Sequence, residues 1–176
     1  MRILSVIIGL IWVFLSGCAT TNMVADLYKI NSSTTKIRQI YDKYKNELTP
    51  EEREALKEAW QTWLNIWETL DANGCGLKHI TKDVCKLDTF TVQELYDSAK
   101  TVYLRIRPIA KKREKILSMQ ERIVLKQFDQ SMKDFSESVK AFLANPNAEN
   151  QLLVIKGLSG LAVVGAKVSP MIIGIL

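Results

Sequence analysis

From Ile37 onward, apolar residues return at intervals of three and four, the spacing that gathers side chains on one face of a helix. Ile37, Ile40, Tyr41, Tyr44 and Leu48 make a first stripe and predict a helix over 36–47. Leu56, Trp60, Trp63, Trp67 and Leu70 make a second. Val92, Leu95, Tyr96, Ala99, Val102, Tyr103 and Ile106 make a third. Ile123, Val124, Phe128, Met132, Phe135, Val139 and Phe142 make a fourth. No stretch sustains the two-residue alternation of a half-buried strand, and no internal repeat or low-complexity tract is visible. The pattern predicts an all-α bundle of four to six helices.

Start and stop signals punctuate the stripes. Thr49-Pro50-Glu51-Glu52 combines an N-cap, a first-turn proline and a glutamate placed to close a capping box. Thr91–Glu94 has the same box spacing, and Ser118–Glu121 is a weaker match, either a restart or part of a continuing helix. Asn73-Gly74 and Asn145-Pro146-Asn147 end helices. Pro108 predicts a kink or break near Arg107, because its ring clashes with the preceding turn and it lacks an N–H. Residues 19–35 read as a tether with one weak helix, interrupted at Asn31-Ser32-Ser33-Thr34-Thr35, whose side-chain oxygens suit a cap.

The segment 151–176 is apolar to a degree unusual for a soluble terminus, with only Lys156 and Lys167 charged. Eleven helical residues apart, these two lysines fall within about 20° of one line, close to Ser159 and Gly160. Two readings stand. The segment is the bundle's central helix, apolar nearly all round because others surround it. Alternatively it enters a membrane, for which its length suffices, although Lys167 would lie deep and Pro170 would disturb a regular span.

Ahead of all this, Arg2 and a run from Ile3 to Phe14, broken only by Ser5 and Gly9, form a positive n-region and an apolar h-region of signal-peptide length. Leu15-Ser16-Gly17-Cys18 follows. A leucine, two small residues and a cysteine after such a run resemble the lipobox of bacterial lipoproteins. The resemblance covers the first eighteen residues and names no family for the rest. It implies diacylglyceryl transfer to Cys18, cleavage before it, and acylation of the new amine. Two or three acyl chains make a firm anchor where one does not. Ala19 stands where lipoproteins of enteric bacteria that stay in the inner membrane carry Asp. The implied address is therefore the outer membrane, facing the periplasm, or the single membrane of a source that has only one. The expected organisation is a signal at 1–17, lipidated Cys18 with a tether to 35, a helical domain over 36–150 and the apolar C-terminal helix.

Of three cysteines, Cys75 and Cys85 remain as a pair in an exported, oxidising compartment, flanking a turn-rich loop. A disulfide is the expectation. A metal site of Cys75, His79 and Cys85 is the sharper alternative, but it lacks a fourth ligand and any standard zinc spacing.

Of the 176 residues, removal of the first seventeen leaves 159, one domain's worth. The formal charge of +5 falls by one when Arg2 leaves with the signal. That charge is unevenly placed. Between Glu47 and Asp71, seven acids face two bases, while between Lys100 and Lys126, nine bases face two acids. Either these segments pair and set helix register, or Arg105, Arg107, Lys111, Lys112, Arg113 and Lys115 meet lipid phosphates or an acidic partner. The tryptophan stripe likewise reads as a packing seam or as a glycan or interface platform.

No catalytic constellation, cofactor motif or nucleic-acid motif is present in the sequence, and the only histidine has no nucleophile near it in sequence. Metal, cofactor, small-molecule substrate and nucleic acid are not expected. The leading expectation is a non-catalytic envelope lipoprotein whose helical domain recognises another envelope protein or the membrane itself. An immunity or exclusion lipoprotein, or a protein acting on membranes through its tail, are the alternatives.

Overall fold

The computed structural model describes residues 2–76 and 85–173, with side chains described over 23–76 and 85–172. Five helices account for the described fold: α1 Arg2–Tyr44, α2 Pro50–Leu70, α3 Thr89–Lys112, α4 Met119–Ala144 and α5 Ala148–Ile173. No strand occurs among the described residues, and the protein is an all-α bundle with one apolar C-terminal helix. Short turns make α2 antiparallel to α1, and α5 antiparallel to α4. α5 packs against α4 and α1 and also touches α3 and α2, so it lies at the centre.

Two of the predicted capping boxes start helices as the sequence implies. Thr49 accepts from the Glu52 backbone N–H, and Glu52 accepts in return from the Thr49 N–H. Ser118 and Glu121 close the same reciprocal pair, so this weaker match is a true restart. The third prediction is displaced. α3 begins at Thr89, and Asp88, not Thr91, is the N-cap, accepting from the Thr91 N–H at 2.7 Å. The aspartate carboxylate is the stronger acceptor at the positive end of the helix.

The largest departure is in the first 44 residues. The expected tether at 19–35 is helix, and Asn31–Thr35 does not interrupt it. Ser32, Thr34 and Thr35 donate to the carbonyls of Lys29, Ile30 and Asn31, so their hydroxyls are satisfied without breaking the ladder. Met23, Leu27, Ile30 and Ile37 are all buried. Their packing in the bundle outweighs the modest helix propensity of the Ser/Thr run.

Pro108 also fails to break its helix. α3 runs through it to Lys112, and the stop falls at Arg113, whose N–H bonds the Ala110 carbonyl. Pro108 sits on the exposed face in the last turns, where the carbonyl it leaves unpaired can reach water.

The apolar tail takes the first of its two readings in this fold. Val154, Ile155, Leu158, Leu161, Ala162 and Val168 are buried among the other helices. Lys156, Gly160 and Lys167 lie on the exposed line. Ser159 departs from that line: it is buried and donates to Asp26 of α1 at 3.2 Å. α5 is long and apolar enough to cross a membrane by length and composition, but over half of that window is buried inside the bundle. Gly157 lets α5 approach α4 closely, since a Cβ there would stand 3.1 Å from the Phe135 Cα.

The tryptophan stripe is a seam. Trp63 is 1% exposed, and Trp60 and Trp67 pack partly buried against the core. Tyr41 of α1 lies 6.4 Å from the Trp60 ring, with the Arg38 guanidinium over that ring at 5.5 Å.

Candidate functional site: the N-terminal helix, the cysteine-pair end and the basic face

Leu15, Ser16, Gly17 and Cys18 lie on the N-terminal part of α1, ahead of the described side chains. Their backbone is continuous with the stretch that packs into the bundle from Met23. Cys18 is therefore five residues along a continuous helix from Met23, the first buried side chain among those described, not at the far end of a loose tether.

Cys75 and Cys85 stand at disulfide distance, with Cα atoms 4.4 Å apart. α2 passes into a π-turn over Asp71–Cys75, where Gly74 takes φ 72°, a left-handed conformation that suits glycine. The Lys86 N–H donates to the Asn73 carbonyl. Gln151 of α5 ties this end down: its amide donates to the Cys85 carbonyl at 2.9 Å and accepts from the Leu87 N–H at 2.9 Å. The alternative metal site needs His79, which lies outside the described residues. Among the described residues no cluster of three or more His, Cys, Asp or Glu could hold a metal.

The structure brings the acidic and basic segments together. Glu58 meets Arg105 at 2.8 Å and Glu51 meets Lys112 at 2.8 Å. Seven residues down α2 match seven up α3, so the charges mark the antiparallel register. Arg113 pairs with Glu52 of the first capping box. Arg107 forks onto Asp129 of α4, with Nη2 2.8 Å from Oδ2, and Tyr103 donates to the same carboxylate at 2.8 Å. Of the six basic residues singled out in the sequence, Arg105, Arg107, Lys112 and Arg113 are thus held by internal acids. Lys111 and Lys115 are exposed and have no ion pair among the described residues. The exposed pairs with Glu51 and Glu58 contribute on the order of 0–1 kcal/mol each.

Glu52 and Asp129 are the two that matter to stability. Burial pushes the Glu52 carboxyl up, but hydrogen bonds from Thr49 and the Arg113 contact outweigh it and hold it below its ordinary 4.5. Burial likewise raises Asp129, and the hydrogen bonds from Arg107 and Tyr103 overcome it, leaving it below 3.8. A carboxyl lowered by folding stabilises fully above its unfolded value and loses that contribution as pH falls through the folded value. Stability should therefore fall below about pH 4.5. Glu52→Gln should lower stability at neutral pH and flatten this acid limb. Urea midpoints measured from pH 7 to pH 3 check both, and an unaltered acid limb in Glu52→Gln would remove the carboxylate from the account.

Two open grooves flank α4. One of about 520 Å³ runs between α4 and α5, lined by Asp134, Ser138, Lys156, Gly157 and Gly160. The other, about 380 Å³, lies between α3 and α4 beside Tyr96, Lys100, Leu104 and Lys133. Asp134, beside the first, is engaged by Gln130 at 2.6 Å. Sequence reading did not anticipate three well-exposed side chains at the α3–α4 turn: Ile116, Met119 and Ile123. Ile123, expected on the fourth apolar stripe, falls off the buried face of α4, which instead begins at Leu125 and runs through Phe128, Met132, Phe135, Val139 and Phe142.

No family model, no curated protein and no solved structure matches this chain. The fold defines its class: a five-helix, all-α bundle bearing a cysteine pair at disulfide distance.

Proposed function

We propose that this protein is a non-catalytic envelope lipoprotein, a helical adaptor domain held at a membrane by acylated Cys18 and facing the periplasm from the outer membrane. The observation that carries the reading is Leu15-Ser16-Gly17-Cys18 directly after the Ile3–Phe14 run. The Cys75–Cys85 pair supports it, because such pairs persist in exported compartments. The apolar surface buried by α5 supports an adaptor over a membrane-inserting tail, since little of that surface is free to enter lipid. Anchoring also makes weak recognition sufficient, because tethering raises the effective concentration of the domain near an envelope partner.

The test is direct. Intact mass of the protein expressed from its own leader should show loss of residues 1–17 and added acyl chains. Cys18→Ser should abolish both changes. A chain begun at Ala19 behind an ordinary secretion signal should be a soluble helical monomer after a carbonate wash. An unacylated Cys18 would end the lipoprotein reading. Retention of the Ala19 form in membranes, lost on deleting 151–176, would make α5 a second anchor.

A further inference from the structure

Helix direction fixes which end of the bundle the anchor enters. The Glu51–Lys112 and Glu58–Arg105 pairs put the start of α2 beside the end of α3. The end of α1 joins the start of α2 through a short turn, so α1 begins at the opposite end, with the starts of α3 and α5 and the end of α4. The Asp26–Ser159 bond sets the level. Ser159 is eleven residues, about 16 Å, into α5, and Cys18 is eight helical residues, about 12 Å, before Asp26. The Cys18 backbone therefore lies within about one turn, ~5 Å, of the level where α5 starts.

That end is not polar throughout. Phe90, in the first turn of α3, is 77% exposed, Leu143 at the end of α4 is 38% exposed and Leu153 near the start of α5 is 43% exposed. Gln151, bonded to Cys85 and Leu87, holds the starts of α3 and α5 together, and Phe142, Pro146 and Lys86 line the open cleft beside it. By charge alone, Asp88 and Glu149 offset Lys86 among the described residues at the starts of α3 and α5, so the attraction argued here is apolar.

We propose that the bundle stands on this cystine end, with Phe90, Leu143 and Leu153 in the interface of the bilayer that holds acylated Cys18. The inference rests on the lipoprotein reading, and it names the lipid-facing surface of the folded domain. Interfacial side chains reach about 5–10 Å into the headgroup region, a depth the first turns of α3 and α5 can supply. The opposite end, with Ile116, Met119, Ile123, Lys111 and Lys115, is carried about 36 Å from the bilayer, the length of α3. That end is the surface free to meet an envelope partner, and the basic residues singled out in the sequence are turned away from the anchor's own lipid.

The experiment uses the acylated full chain in phosphatidylcholine vesicles, with acylation confirmed first by mass. That check isolates failure of the lipoprotein reading from failure of the orientation. Ala144→Cys and Gln120→Cys, both at exposed positions, each add one thiol for a fluorophore, at the cystine end and the far end respectively. Nitroxide-bearing lipids should quench the Ala144→Cys label and leave the Gln120→Cys label unquenched. Phosphatidylglycerol or added salt should not change the pattern. Phe90→Ser with Leu143→Ser should abolish the quenching while helicity and acylation persist. A quenched Gln120→Cys label, an unquenched Ala144→Cys label, or quenching indifferent to the serine pair would each overturn the proposal.

Discussion

Trp63→Ala should destabilise the protein by about 3–5 kcal/mol, the range for removing a large aromatic from a core. Trp63 is the largest of the fully buried side chains, 1% exposed, on the α2 face that also buries Leu56, Ala59, Ile66 and Leu70. Truncation loses its transfer free energy and leaves a cavity that five helices fixed by their other contacts cannot close. Domains of this size hold only about 5–15 kcal/mol in total, so the loss takes a large share. Trp63→Phe sharpens the test. The indole N–H of Trp63 has no hydrogen-bond partner among the described residues, and a buried orphan donor costs about 1–3 kcal/mol. Phenylalanine removes that cost while keeping most of the ring, so it should fall within about 1.5 kcal/mol of the parent. Urea unfolding followed by helicity measures both. An alanine variant within about 1 kcal/mol of the parent would place Trp63 outside the core, and glycan or interface duty would regain its case.

How much of this fold the sequence carries depends on which force decides each element. Where one local device dominates, the residues tell the truth: Thr49 with Glu52 and Ser118 with Glu121 cap as their spacing implies. Where tertiary packing decides, local rules mislead. The Ser/Thr run at 32–35 looks like an interruption because those side chains favour caps, yet α1 continues through it against α5. Pro108 looks like a break because its cost is counted without the exposed turn that absorbs it. Asp88 is not legible as the cap because Thr91 and Glu94 have the familiar box spacing, which says nothing about a carboxylate three residues upstream. For the candidate contacts, the opposite charge of two segments was visible, but their partners were not, since pairing Arg107 to Asp129 needs the packing of α3 on α4. The exposed Ile116, Met119 and Ile123 were hidden among stripe residues of the same kind. The level of Cys18 on the bundle needed the Ser159–Asp26 contact, which no pattern announces.

Breaking the Cys75–Cys85 bond should cost about 3 kcal/mol, the chain-entropy value for closing a loop of this size. The cysteines are ten residues apart, and the link fixes the exit of α2 beside the strand of chain that leads into α3. The effect acts mainly on the unfolded chain, whose freedom the link restricts. Gln151 adds a native-state component. Its two bonds, to the Cys85 carbonyl and the Leu87 N–H, depend on that segment being held against α5, so freeing the cysteines should also loosen the start of α5. Two measurements separate these effects. Urea midpoints with and without reductant report the total, and Cys75→Ser with Cys85→Ser should reproduce the reduced value and lose all response to reductant. Amide exchange across residues 148–155 in the serine pair reports the second part, with protection expected to fall there and to hold at Val139 and Phe142 of α4. A midpoint unmoved by reductant would mean the thiols are not joined in solution, and the case for an oxidising compartment would then rest on the leader alone. A moved midpoint with unchanged exchange would confine the bond to its entropic role and leave Gln151 able to hold the cystine end unaided.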